Sequence, residues 1–166
     1  MSSPESTWIG GDGGPLVILQ ASALHAWRGA DDFDQSRRNG GTLETDYDAI
    51  CECPDQHLHR HGRDMLILDD SEWSARILGL AEGVILVEQL YFEPETHLDP
   101  AERLSGVPPS KTFTIVVEDE SLHLLVGADS GDGGRYGRSD VRVSPGKKRC
   151  DLSLFDDAFL LRIAPL

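Results

Sequence analysis

Apolar and polar positions alternate over short distances along this chain, and the breaks between them are rich in glycine, proline and aspartate. Leu16–Leu19, Met65–Leu68 and Val84–Phe92 are apolar runs dominated by branched side chains, the pattern of buried strands. The run at Val84–Phe92 is expected to be the most central strand. Asp46–Cys53 alternates, with Tyr47, Ala49, Cys51 and Cys53 on one face, and predicts a half-buried strand. Thr112–Val117 and Ser121–Val126 flank Glu118-Asp119-Glu120 and predict a hairpin. Val141–Val143, Lys147–Phe155 and Phe159–Ile163 complete the strand-like segments, with a turn at Ser144-Pro145-Gly146.

Helical signals are few and short. Ser22 is placed to cap a helical turn or two ending at Trp27, with Gly29 as its C′ residue. Asp69-Asp70-Ser71-Glu72 predicts the cap of a second short helix holding Trp73, Ile77 and Leu78. Residues 93–110 hold four prolines and no long apolar run, and are expected to form a long loop with one helical turn around Pro100–Leu104. The fold class that follows is mainly β, bordering on α+β. It has antiparallel sheets of about nine or ten short strands and one or two short helices in a single domain over residues 1–166.

Composition narrows the function classes. With 166 residues, 39% of them hydrophobic and 27% charged, the chain is long enough for one proper core and is not of disordered type. No apolar run approaches the ~20 residues that span a bilayer. The opening MSSPESTW carries neither a basic nor an apolar region, so no signal peptide is expected. Three cysteines are an odd number and too few for a disulfide scaffold, which predicts a reduced, cytoplasmic protein. The net charge of −14 argues against nucleic acid and against anionic membranes as partners. It favours capture of a basic partner.

Candidate chemistry is sparse. Cys51, Cys53, His57, His59 and His61 form the sharpest metal candidate, C-x-C-x3-H-x-H-x-H. Zinc accepts those ligand types, but structural zinc motifs space their cysteines by two to four residues. A histidine-rich hairpin rim without metal is the preferred reading, and no cofactor is expected. No nucleophile elbow, cysteine-protease signature or paired general acid and base is evident. Gly131–Gly137 misses G-x-G-x-x-G, because Tyr136 stands at the third glycine position. Lys147-Lys148-Arg149 is expected to meet internal charge partners. Trp8 and Trp27 are expected in the core and Trp73 at a partly exposed edge.

Trp8, the Gly13-Gly14-Pro15 turn with its apolar strand, and Trp27-Arg28-Gly29 resemble the immunity protein 21 family of bacterial polymorphic toxin systems. Asp46-Tyr47-Asp48 with Cys51, then Met65–Asp69, look like its next two strands. Ser121–Ala128 and Val141–Val143 with Pro145-Gly146 look like its C-terminal half. His57–Gly62 and Lys147-Lys148-Arg149 depart from the pattern. The resemblance implies a non-enzymatic inhibitor that binds and neutralises a cognate toxin domain. A basic nuclease is the favoured target, met by an acidic surface. The residues expected at that contact are Asp31, Asp32, Asp34, Asp69, Asp70, Glu72 and Trp73. The alternatives are a small metal-binding enzyme or sensor built on the Cys51–His61 cluster, and a ligand-binding β domain.

Overall fold

The computed structural model describes residues 7–10, 14–30, 45–70, 74–91, 99–131 and 136–166, without the side chains of Asp69 and Asp70. Eleven strands among these residues form two antiparallel sheets. The first is six-stranded, in the order β1 (Ile9–Gly10), β5 (Ser74–Gly79), β6 (Ile85–Leu90), β11 (Ala158–Pro165), β10 (Gly146–Leu154) and β7 (Lys111–Val117). The second is five-stranded, in the order β3 (His57–Arg60), β4 (Arg63–Asp70), β2 (Pro15–Gln20), β8 (Ser121–Val126) and β9 (Arg138–Arg142). The fold is therefore mainly β, as the apolar pattern predicts, and β6 lies inside its sheet between β5 and β11.

Strand alternation places the core. Ile77, Ile85, Val87, Ile115, Phe159, Leu161 and Ile163 of the six-stranded sheet meet Leu16, Ile18, Leu66, Leu122 and Leu124 of the other. Between them they fill the space between two sheets. The intervening positions of β2, β4 and β8 are apolar as well. Val17, Leu19, Met65, Ile67 and Leu125 face outward onto Leu24, Trp27 and Ile50. That is why β2 is buried at every position. It is covered on one side by the other sheet and on the other by two short helices, α1 (Ala21–Leu24) and α2 (Asp46–Glu52). A third helix, α3 (Pro100–Leu104), lies where a helical turn is expected and packs against β6. The Asp99 carboxylate accepts its Ala101 N–H at 2.8 Å.

Four expectations are corrected. Asp46–Glu52 is a helix and not a half-buried strand. Thr45 Oγ1 accepts the Asp48 N–H while the Asp48 carboxylate accepts the Thr45 N–H, a reciprocal cap. Asp46, Ala49 and Ile50 then share the buried side at helical spacing. Ser74–Gly79 is strand β5 and not helix, because Ala75 and Ile77 point into the core at period two. Trp73 and Glu72 lie outside the described residues.

Helix α1 ends at Leu24, and Gly29 does not cap it. Ser22 does not cap it either, since its N–H and hydroxyl both donate to the Asp119 carboxylate, at 2.8 and 2.6 Å. Finally, β7 and β8 do not pair. Strand β8 is buried on both faces and sits between β2 and β9, whereas β7 alternates exposed and buried and is an edge strand. The connection crosses between sheets and is held by Gln20. Its side-chain Oε1 accepts the Glu118 N–H at 2.7 Å, and its side-chain Nε2 donates to the Val116 carbonyl at 2.9 Å.

Candidate functional site

Of the seven expected contact residues, Asp31, Asp32, Asp34, Glu72 and Trp73 lie outside the described residues. Asp69 and Asp70 are described only as the backbone end of β4, where Asp70 pairs in register with Pro15. The framework beside both acidic segments is defined. The chain leaves the described structure at Ala30 and re-enters it at Thr45, and the Tyr47 N–H donates to the Gly29 carbonyl at 3.1 Å. The two ends of the first acidic segment are thus tied together at the start of α2.

Asp46 is the hub of that junction. It is 5% exposed and accepts from the Arg28 N–H at 2.7 Å and Arg60 Nε at 2.5 Å, with His61 Nε2 at 2.8 Å. Burial pushes its carboxyl up. The Arg28 N–H, the Arg60 guanidinium and the His61 ring outweigh that and hold it below the usual aspartate range. A buried carboxylate with several charge-assisted donors is rigid and specific. His61 takes a positive φ of 53° in the β3–β4 turn to reach it, and packs edge-on to Trp27 at 6.3 Å between ring centroids. Sequence inspection missed this hub because its members lie far apart in the chain. The one local signal is Thr45-x-x-Asp48, which fixes where α2 begins.

Along the same helix runs an open cleft of about 640 Å³. Tyr47, Ile50 and Cys51 line its helix side, and Pro15, Ile67 and Tyr91 lie among its other walls. Leu68, the residue before Asp69, also lines it. Helix α2 therefore carries the Asp46 junction at its start and lines the cleft along its side, with Leu68 of β4 on another wall. The lining mixes tyrosine, aliphatic and small polar groups, a surface suited to receiving a partner side chain.

The Cys51–His61 candidate is dispersed. Cys51 is exposed on α2, and Cys53 Sγ faces the carbonyls of Asp55 and His57 at 3.4 and 3.6 Å. The His57 ring stacks on Phe113 at 5.1 Å, His59 Nδ1 meets Asp64 Oδ1 at 2.8 Å, and His61 serves Asp46. The three histidines do not share a face, because the turn at His61-Gly62 breaks the alternation of β3. Among the described residues no group of three or more His, Cys, Asp or Glu is arranged to hold a metal ion.

Trp27 is in the core as expected, whereas Trp8 is half-buried under the Arg76 guanidinium, 4.3 Å from its ring centre. Arg149 pairs with Asp151 at 2.8 Å, and the buried Lys148 donates to the Ser144 hydroxyl at 3.1 Å. No helix among the described residues is long and apolar enough to cross a membrane.

The family model described as Immunity protein 21 matches residues 7–79, the stretch from Trp8 through α1, α2 and the β3–β4 hairpin to the end of β5. The family it names is the one that the motifs at Trp8, Pro15 and Trp27–Gly29 resemble. No curated protein and no solved structure matches the chain. The matched stretch contains α2, the Asp46 hub and most of the cleft lining.

Proposed function

We propose that this chain is a cytoplasmic immunity protein that binds a cognate bacterial toxin and blocks it by laying an acidic surface over a basic active site. The observation that carries the reading is the match of residues 7–79 to the Immunity protein 21 model, which supports an immunity role in general. The net charge of −14 supports the finer part. Such a surface repels nucleic acid and attracts a basic protein, and toxins that act on nucleic acid carry basic clefts. A nuclease toxin is therefore the proposed target. Asp31, Asp32, Asp34, Asp69, Asp70, Glu72 and Trp73 are its proposed contacts, with the cleft along α2 receiving one side chain of the toxin. Charge pairs of this kind speed association, and a buried anchor holds the complex.

The test uses the purified chain and its toxin domain. Reversing the first cluster with D31K, D32K and D34K together is expected to weaken binding by about tenfold or more and to slow association. Unchanged affinity removes that cluster from the interface.

A further inference from the structure

The outer face of the five-stranded sheet carries a second cluster, at the β8–β9 edge. Two cross-strand pairs, Ser121 with Arg142 and His123 with Asp140, lie two residues apart and so share a face. Ser121 Oγ lies 2.9 Å from His123 Nε2, and His123 Nδ1 lies 2.7 Å from Asp140 Oδ1. The His123 side chain is 10% exposed, so its ring is fixed between hydroxyl and carboxylate. Arg138 Nε donates to the same Asp140 oxygen at 2.8 Å. Ser121 and Arg142 both line an open groove of about 730 Å³.

This order of groups is that of an activated hydroxyl. A carboxylate that accepts a hydrogen bond from Nδ1–H leaves the Nε2 lone pair facing the serine, which sets the tautomer a general base needs. Burial pushes the Asp140 carboxyl up, but the His123 ring and the Arg138 guanidinium outweigh it and keep it ionised at neutral pH. The serine is not enclosed, since its groove opens to solvent and admits a small molecule. Nothing in this arrangement depends on the toxin partner or on the matched family stretch, which ends at residue 79.

We propose that Ser121 is a nucleophile for acyl transfer from carboxylic esters, with His123 as its general base and Asp140 as the residue that positions the ring. Ser121 Oγ attacks the ester carbonyl carbon while its proton passes to His123 Nε2. The tetrahedral oxyanion collapses, the C–O bond to the alcohol breaks, and His123 returns the proton to the leaving alkoxide. Water then attacks the acyl-serine with the same proton relay, releasing the carboxylic acid and regenerating the hydroxyl. Arg142, opposite Ser121 in register and lining the same groove, is the cation assigned to the oxyanion.

A fluorophosphonate probe on the full chain tests this, because Ser121 Oγ displaces fluoride from phosphorus with the same proton transfer. Peptide mapping is expected to place one adduct, on Ser121. H123Q is expected to slow labelling by about a hundredfold or more. D140N is expected to lose labelling that D140E retains, which a merely structural carboxylate does not predict. The wild-type chain is also expected to release nitrophenolate from p-nitrophenyl acetate, and S121A not to. Because the adduct is mapped on the unaltered protein, a variant that fails to fold does not spare the proposal. A wild-type chain unlabelled at Ser121, or labelled as fast in a folded H123Q protein, overturns it.

Discussion

Two residues concentrate the constraints of the matched stretch. Asp46 is buried and accepts from Arg28, Arg60 and His61 at once. Replacing it by asparagine leaves a half-buried guanidinium and ring without their anion, and D46N is expected to cost about 1–3 kcal/mol. Its carboxyl is held below the usual range in the folded state, so the sign is fixed. The contribution is fully present above an unfolded aspartate value of about 3.9 and is lost as the pH falls toward the lower folded value. Urea midpoints measured at pH 7 and near pH 3 should fall more steeply for the wild type than for D46N. Gly29 is the second. Its φ is +58°, and a Cβ there would lie 2.3 Å from the Ala128 carbonyl oxygen and 2.4 Å from that of Asp129. Both the conformation and the space exclude a side chain, so G29A is expected to destabilise by more than about 1 kcal/mol, read as a shifted urea midpoint at constant slope. The sequence showed Gly29 as special but assigned it to a helix end. Its true neighbour is a segment about a hundred residues away, which no local pattern reveals.

At the scale of elements, what the sequence made legible was burial. Leu16–Leu19, Met65–Leu68 and Val84–Phe92 contain or overlap three strands of the core, because continuous branched runs have few other uses. The misread elements are those where two periods fit equally well. Asp46–Cys53 alternates over eight positions, yet Asp46, Ala49 and Ile50 also fall on one helical side, and the reciprocal Thr45–Asp48 cap decides for the helix. Removing that cap with T45A is expected to cost about 1 kcal/mol. Hydrogen exchange of the α2 amides should speed up, with β6 and β11 unaffected. The separation of β7 from β8 was not legible either. Adjacent strands with a three-residue link read as a hairpin, and only the doubly buried character of β8 shows that it needs two neighbours of its own. Composition shows the acidic stretches proposed for the contact and nothing of the cleft or the Asp46 hub, which are built by contacts between distant segments.

For the whole molecule the dominant quantity is charge. A net charge of −14 on one small chain produces a field that reaches about a Debye length, ~8 Å at physiological salt. If that field recruits a basic toxin, the association rate should fall by about tenfold or more between ~0.01 M and ~0.15 M salt, with the dissociation rate nearly constant. Stopped-flow mixing measures both. The reading that rests on the family match is neutralisation itself, and co-expression with the protein encoded by the neighbouring upstream gene tests it most directly. Survival of cells that the neighbour alone kills, together with a tight complex on purification, is the predicted result. A harmless neighbour and no complex would contradict it.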